Sequence, residues 1–68
     1  MPKARRVLAA LKRDGWREIR RSGSHRILAK GDRQATFAFH DGDDLGTPYL
    51  ARIAQKFGYT LAELRALL

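Results

Sequence analysis

The chain opens on an apolar stripe at helical spacing. Ala4, Val7, Leu8 and Leu11 recur on one side of residues 2–14, while Arg5, Arg6, Lys12 and Arg13 gather on the other. That spacing predicts a helix with one packing face and one basic face, and Gly15 is well placed to end it in the left-handed conformation. From Trp16 the period changes. Residues 16–21, His25–Lys30 and residues 34–39 read as three short strands, joined by the turn-like Ser22-Gly23-Ser24 and Lys30-Gly31-Asp32-Arg33. In the third strand Ala35, Phe37 and Phe39 alternate with Thr36, Ala38 and His40, which turns both phenylalanines toward a core. A three-stranded meander covered on one side is the expectation.

Asp41-Gly42-Asp43-Asp44-Leu45-Gly46 reads as a loop, with Thr47 as the N-cap of a second helix and Pro48 at its first position. Leu50, Ile53, Ala54 and Phe57 form the apolar stripe of that helix, and Gly58 stops it. A last short helix opens on Thr60-Leu61-Ala62-Glu63, which has capping-box spacing, and runs on through Leu64, Leu67 and Leu68. Its leucines suit either the chain's own core or the surface of a partner. Trp16 reads as a core residue, Tyr49 and Tyr59 as packing residues, with Tyr59 placed to staple against the last helix. The order α-β-β-β-α-α makes an α+β domain, and 68 residues without repeats or linkers make it a single one, residues 1–68.

Size and composition narrow the functions open to such a domain. A chain this short has little interior, and with no cysteine it has neither disulfide nor cysteine-based zinc to supplement it. Function is therefore expected on an exposed face or on a surface that a partner covers. Absence of cysteine fits a reducing compartment, no apolar run approaches the roughly 18 residues of a membrane span, and no signal-peptide core follows the basic start. A soluble, cytoplasmic protein without membrane association is the expectation. The net charge of +7 points to polyanions, and it is segregated: residues 1–40 carry +8 and residues 41–68 carry −1. A merely solubilising surface intersperses both signs.

The densest chemistry lies in residues 17–26, an arginine-rich stretch containing Gly23-Ser24-His25. An imidazole, with a reference pKa of about 6.5, can take or give a proton near neutral pH. Beside a bound RNA it can deprotonate a 2′-hydroxyl, whose oxygen attacks the adjacent phosphorus while cations stabilise the charge on the non-bridging oxygens. From the residues alone, His25 is either that catalyst or a solvent-facing strand histidine after a turn. Gly23 would allow close backbone approach and Ser24 would supply a hydroxyl. Lys12, Arg13, Arg20, Arg21, Arg26 and Lys30 are candidate phosphate contacts, which position RNA without reading its sequence, and Arg26 falls on the strand face opposite His25. His40, before the acidic loop, is either an auxiliary proton donor or substrate contact, or a structural histidine. The spacing of His40, Asp41, Asp43 and Asp44 matches neither a helical zinc pair nor a calcium loop, so no metal or other cofactor is expected.

The combination Gly15-Trp16, Arg20-Arg21-Ser22-Gly23-Ser24-His25-Arg26-Ile27, Phe39-His40-Asp41-Gly42 and Ala54-Gln55-Lys56-Phe57-Gly58-Tyr59-Thr60 resembles the HicA toxins of prokaryotic HicA–HicB toxin–antitoxin pairs. The resemblance covers nearly the whole chain. It departs from the family's habit at Ala38, where proline is frequent, and at Leu45-Gly46-Thr47-Pro48, where Lys-Pro-Gly-Thr is frequent. It implies a double-stranded-RNA-binding-domain-like α-β-β-β-α fold, here with an extra short C-terminal helix, and an mRNA-cleaving endoribonuclease with its catalytic histidine at His25. It further implies a HicB-like antitoxin that binds the toxin and blocks its active surface. The alternative from another class is a non-catalytic RNA-binding module of the double-stranded-RNA-binding-domain type. A helix-turn-helix reading of residues 54–68 is poor, because a recognition helix there offers only Glu63 and Arg65 as polar side chains.

Overall fold

A computed structural model describes residues 1–68. Helix α1 spans Ala4–Arg13, strands β1, β2 and β3 span Arg17–Ser22, His25–Lys30 and Arg33–Phe37, and helices α2 and α3 span Thr47–Phe57 and Leu61–Leu67. This is the α-β-β-β-α arrangement of a double-stranded-RNA-binding-domain-like fold with an additional C-terminal helix. The strands form one antiparallel sheet in the order β1-β2-β3. Its first turn needs Gly23, whose φ of 60° is a left-handed conformation that a side chain would strain.

One face of the sheet meets the helices. Leu28 of β2 and Phe37 of β3 are buried with Val7, Leu8 and Leu11 of α1 and the α2 stripe Leu50, Ile53, Ala54 and Phe57. Trp16 is part of this core, its ring edge-on to Phe57 at 4.7 Å between centroids. Leu64 of α3 is fully buried in the same cluster, so the last helix closes the chain's own core. Its capping box is formed in both directions: Glu63 N–H donates to Thr60 Oγ1 at 3.0 Å, and Thr60 N–H donates to Glu63 Oε1 at 2.7 Å. From α1, Arg6 and Arg13 donate to the carbonyls of Leu68 and Leu67 at 3.0 and 2.9 Å, satisfying acceptors that a helix end leaves open.

The acidic loop performs the matching task at the other end of α1. No side chain caps that helix; the N–H groups of Ala4 and Arg5 donate to the carbonyls of Asp43 and Asp41 at 2.8 and 3.2 Å. Carboxylates near a helix N-terminus are favoured by its dipole. Asp44 also pairs with Lys3 at 2.8 Å, and that contact holds its carboxyl below the usual range.

Three local expectations need correction. β1 starts and ends one residue later than 16–21, because Trp16 turns into the core. β3 runs from Arg33 and stops at Phe37; beyond it the chain leaves the sheet, and half-buried Phe39 packs edge-on against Phe37 and Tyr49 at 5.4 and 5.9 Å. The N-cap of α2 is Gly46, not Thr47, which lies inside the first turn with its hydroxyl accepting from Arg65 Nη2 at 2.8 Å. Tyr49 does pack, as an edge contact for Phe39 and for the Arg52 guanidinium, while remaining 46% exposed.

A polar knot ties the far end of the sheet to the helices. Trp16 Nε1–H donates to the Tyr59 hydroxyl at 3.0 Å, Tyr59 O–H donates to Asp14 Oδ2, and Lys30 Nζ donates to the same oxygen at 3.0 Å. The tyrosine hydroxyl, followed by the Lys30 ammonium, holds the Asp14 carboxyl below its ordinary value. Burial and the adjacent carboxylate raise Tyr59. Gly58, in the left-handed region at φ 83°, completes the end of α2; a Cβ there would overlap the Arg33 guanidinium.

Two measurements check this account. Leu64→Ala removes a fully buried side chain and is expected to cost about 2–5 kcal/mol, read from urea or thermal unfolding; a change within ~0.5 kcal/mol would mean α3 is not part of the core. Because the folded-state pKa of Asp14 is depressed, its stabilising contribution is present above the unfolded value of about 3.9 and fades as pH falls through the folded value. The stability gap between wild type and Asp14→Asn should therefore be constant near neutral pH and close on acidification below about pH 4.

Candidate functional site

Alternation along β2 decides what each side chain can reach. Leu28 faces the helices, so Arg26 does too, and His25, Ile27 and Ala29 point to the opposite, uncovered face. In the β1–β2 register Ser22 stands directly opposite His25, and Arg20 opposite Ile27. Ser22 and Arg20 therefore share the uncovered face with the imidazole, Arg20 as a diagonal neighbour within reach of a long side chain. His25 is exposed. Arg17 and Arg20 are also exposed and take part in none of the ion pairs, which leaves two free guanidinium groups on this face.

The other side of the hairpin is built differently. Arg21 stands opposite Arg26, a like-charged pair that would be unfavourable alone. Carboxylates resolve it: Arg26 Nη2 donates to Asp41 Oδ1 at 3.0 Å, and Glu18 Oε1 lies 3.8 Å from Arg26 Nε. The Arg26 side chain is only 11% exposed, and its Nε–H is buried without a hydrogen-bond partner. Around this pair opens a depression of about 350 Å³ lined by Arg21, Gly23, Ser24, Arg26, Phe39, His40 and Asp41. His40 stands on its rim with its backbone fixed, N–H donating to Asp43 Oδ2 at 3.0 Å, and its imidazole exposed.

The ten residues singled out by sequence thus fall into two groups. Arg20, Arg21, Gly23, Ser24, His25, Arg26 and His40 surround the tip of the β1–β2 hairpin, with His25 and Arg20 on one side and His40, Arg21 and Arg26 on the other. Lys12, Arg13 and Lys30 are not brought to it. Lys30 closes the opposite end of β2, about 16 Å from His25 at a rise of about 3.3 Å per residue. Its ammonium is engaged by Asp14, and Arg13 is engaged by the Leu67 carbonyl. Residue type does not single out Ser22, Arg17, Glu18 or Asp41; the hairpin register would have pointed to the first two, whereas the partners of Arg26 depend on how the acidic loop folds back.

None of the aspartates of that loop is idle. Asp41 holds Arg26, Asp43 accepts from the His40 N–H, and Asp44 holds Lys3. No group of three or more His, Cys, Asp or Glu side chains is placed to hold a metal ion, and no helix is long and apolar enough to cross a membrane.

A small α+β fold of the double-stranded-RNA-binding-domain type, with an exposed histidine and free arginines at a hairpin tip, defines a class of compact basic modules. Within it the family is specific: residues 4–59 match the family described as "HicA toxin of bacterial toxin-antitoxin", and the chain belongs to that family. The match spans α1 to the end of α2 and stops before α3. Membership makes the protein the toxin component of a toxin–antitoxin system and implies an antitoxin partner. No curated protein and no solved structure matches the chain.

The Arg26 arrangement yields one expectation. Asp41→Asn removes the one carboxylate hydrogen-bonded to a largely buried guanidinium, leaving Glu18 at 3.8 Å, and should destabilise the fold by about 1–2 kcal/mol in urea unfolding, the exposed carboxylate limiting the loss. Arg26→Met, which removes the buried charge as well, should cost less than Arg26→Ala.

Proposed function

We propose that the protein is a metal-independent endoribonuclease that cleaves mRNA with His25 as its single catalytic histidine, and that a HicB-like antitoxin inhibits it by covering the uncovered sheet face. The observation that carries the reading is the position of His25: exposed at the start of β2, on the one sheet face no helix covers, beside Ser22 and within reach of Arg20. Membership of a toxin family and a surplus of positive charge support it.

RNA carries its own nucleophile. The His25 imidazole takes the proton of a 2′-hydroxyl, the oxygen attacks the neighbouring phosphorus, the bond to the 5′ oxygen breaks, and that oxygen takes a proton from water, leaving a 2′,3′-cyclic phosphate. Arg20 bears on the non-bridging oxygens, where charge accumulates, and Ser22 offers a hydroxyl on the same face. Arg17 extends the positive face along β1 and positions the strand. With Arg26 committed to Asp41 and Glu18, Lys30 to Asp14 and Arg13 to α3, the phosphate contacts come chiefly from β1. Lys12, exposed at the end of α1, is left to bind a more distant phosphate.

The test is cleavage of single-stranded RNA by the purified full chain in the presence of EDTA. Wild type should cut, and His25→Ala should lose at least about 10²-fold in rate while keeping its circular dichroism spectrum and unfolding midpoint. Inhibition by EDTA, or full activity in His25→Ala, would make the mechanism wrong. RNA binding that weakens steeply with salt while the RNA stays intact would favour the non-catalytic module.

A further inference from the structure

The hairpin tip has two chemically distinct sides, and the reading above uses only one. On the side away from His25 the depression between β1, β2 and the β3–α2 loop collects an unusual set of groups. Arg21 is exposed and has no acidic partner; its one side-chain hydrogen bond is long, 3.4 Å from Nε to the Gly23 carbonyl. Arg26, by contrast, is clamped by Asp41 and forms a fixed wall. Phe39 supplies a half-buried aromatic ring, held edge-on by Phe37 and Tyr49. His40 presents an imidazole whose nitrogens make no hydrogen bond, while its backbone is pinned through Asp43 in both directions, at 3.0 Å each. At the crest between the two sides Gly23 is open, with no heavy atom within 4 Å of where a Cβ would stand.

These features are those of a nucleotide site. One uncompensated guanidinium and a serine hydroxyl suit a phosphate, and an aromatic ring beside an imidazole suits a base with donors and acceptors on its edge. We propose that this depression is a second RNA subsite: single-stranded RNA crosses the hairpin at Gly23, placing its scissile phosphate beside His25 and the adjacent nucleotide in the depression, phosphate on Arg21 and Ser24, base against Phe39 and His40. His40 is then a specificity-determining substrate contact and not a catalytic residue. The inference rests on RNA being the substrate. It explains why a loop histidine at the margin of the fold is held so firmly by its backbone while its side chain is left without a partner. It also separates the two adjacent arginines of β1, Arg20 serving the scissile phosphate and Arg21 its neighbour on the opposite side.

The experiment measures binding apart from cleavage. A mixed-sequence 2′-O-methyl 12-nucleotide RNA lacks the nucleophile and stays intact on the wild-type chain, on Arg21→Gln and on His40→Asn. Arg21→Gln should weaken binding about tenfold and flatten the slope of log Kd against log salt by about 0.7, the loss of one single-strand phosphate contact. His40→Asn should weaken it about threefold without changing that slope. In cleavage of unmodified RNA both variants should raise KM with kcat within about twofold of wild type, and both should change the preferred nucleotide beside the cut. Unfolding midpoints should stay at the wild-type value, since both side chains are exposed. Wild-type affinity in both variants, or equal losses on a double-stranded 12-mer, overturns the subsite. If instead binding changes as expected but wild type cuts no RNA, the cleavage reading fails and the subsite stands.

Discussion

Burial of Leu28 is the constraint from which the site follows. A three-stranded sheet in a chain this short can cover only one face with helices, and Leu28 and Phe37 commit that face to the core. Two-residue alternation then leaves no freedom along β2: Arg26 must go inward and His25 outward. A basic residue delivered to the margin of an apolar core is costly, and the acidic loop answers that cost by bringing Asp41 to Arg26. The same loop supplies the carbonyls that close the start of α1. An exposed histidine, a clamped arginine and a tethered loop are thus three results of one packing decision.

The distribution of paired and unpaired cations is the second organising fact. Fourteen lysines and arginines face seven acids, so much of the positive charge has no local counterion. The acids that pair are placed where the fold needs a hold: Asp14 at the α1–β1 corner, Glu18 and Asp41 around Arg26, Asp44 at the start of α1. Other arginines serve backbone acceptors, Arg6 and Arg13 at the end of α3. The guanidinium groups left over are concentrated on β1. Charge spread along residues 1–40 is sorted in space into a structural share and a free share, and two members of the free share, Arg20 and Arg21, lie next to the hairpin tip.

Most of the fold was legible in the residues, because its signals are local. The stripe of α1, the β2 boundaries, the stripe and glycine stop of α2 and the capping box of α3 depend on neighbours within a few positions. What was not legible depends on residues far apart in the chain. Thr47 has the chemistry of an N-cap, but its hydroxyl serves Arg65, and Gly46 takes the position. Arg26 and Lys30 look like phosphate contacts until Asp41 and Asp14 are seen beside them, fifteen and sixteen residues away. Of the site, the importance of Gly23-Ser24-His25 and the opposite placement of Arg26 could be read from type and parity. The depression could not, since it needs the β3–α2 loop to bring His40 against the β1–β2 hairpin.

Between Glu18 and Arg20 the register with β2 shifts by one residue, leaving exposed Ile19 without a partner on β2. Every residue of β1 after that point is displaced by one place against β2, so Arg20, rather than Arg21, shares a face with His25. The number of residues between Trp16 and Gly23 is therefore as much a part of the site as their identities. A relative one residue shorter there, with the same arginines, would present a different guanidinium beside its histidine. Comparisons across this stretch should align residues by sheet face and not by letter.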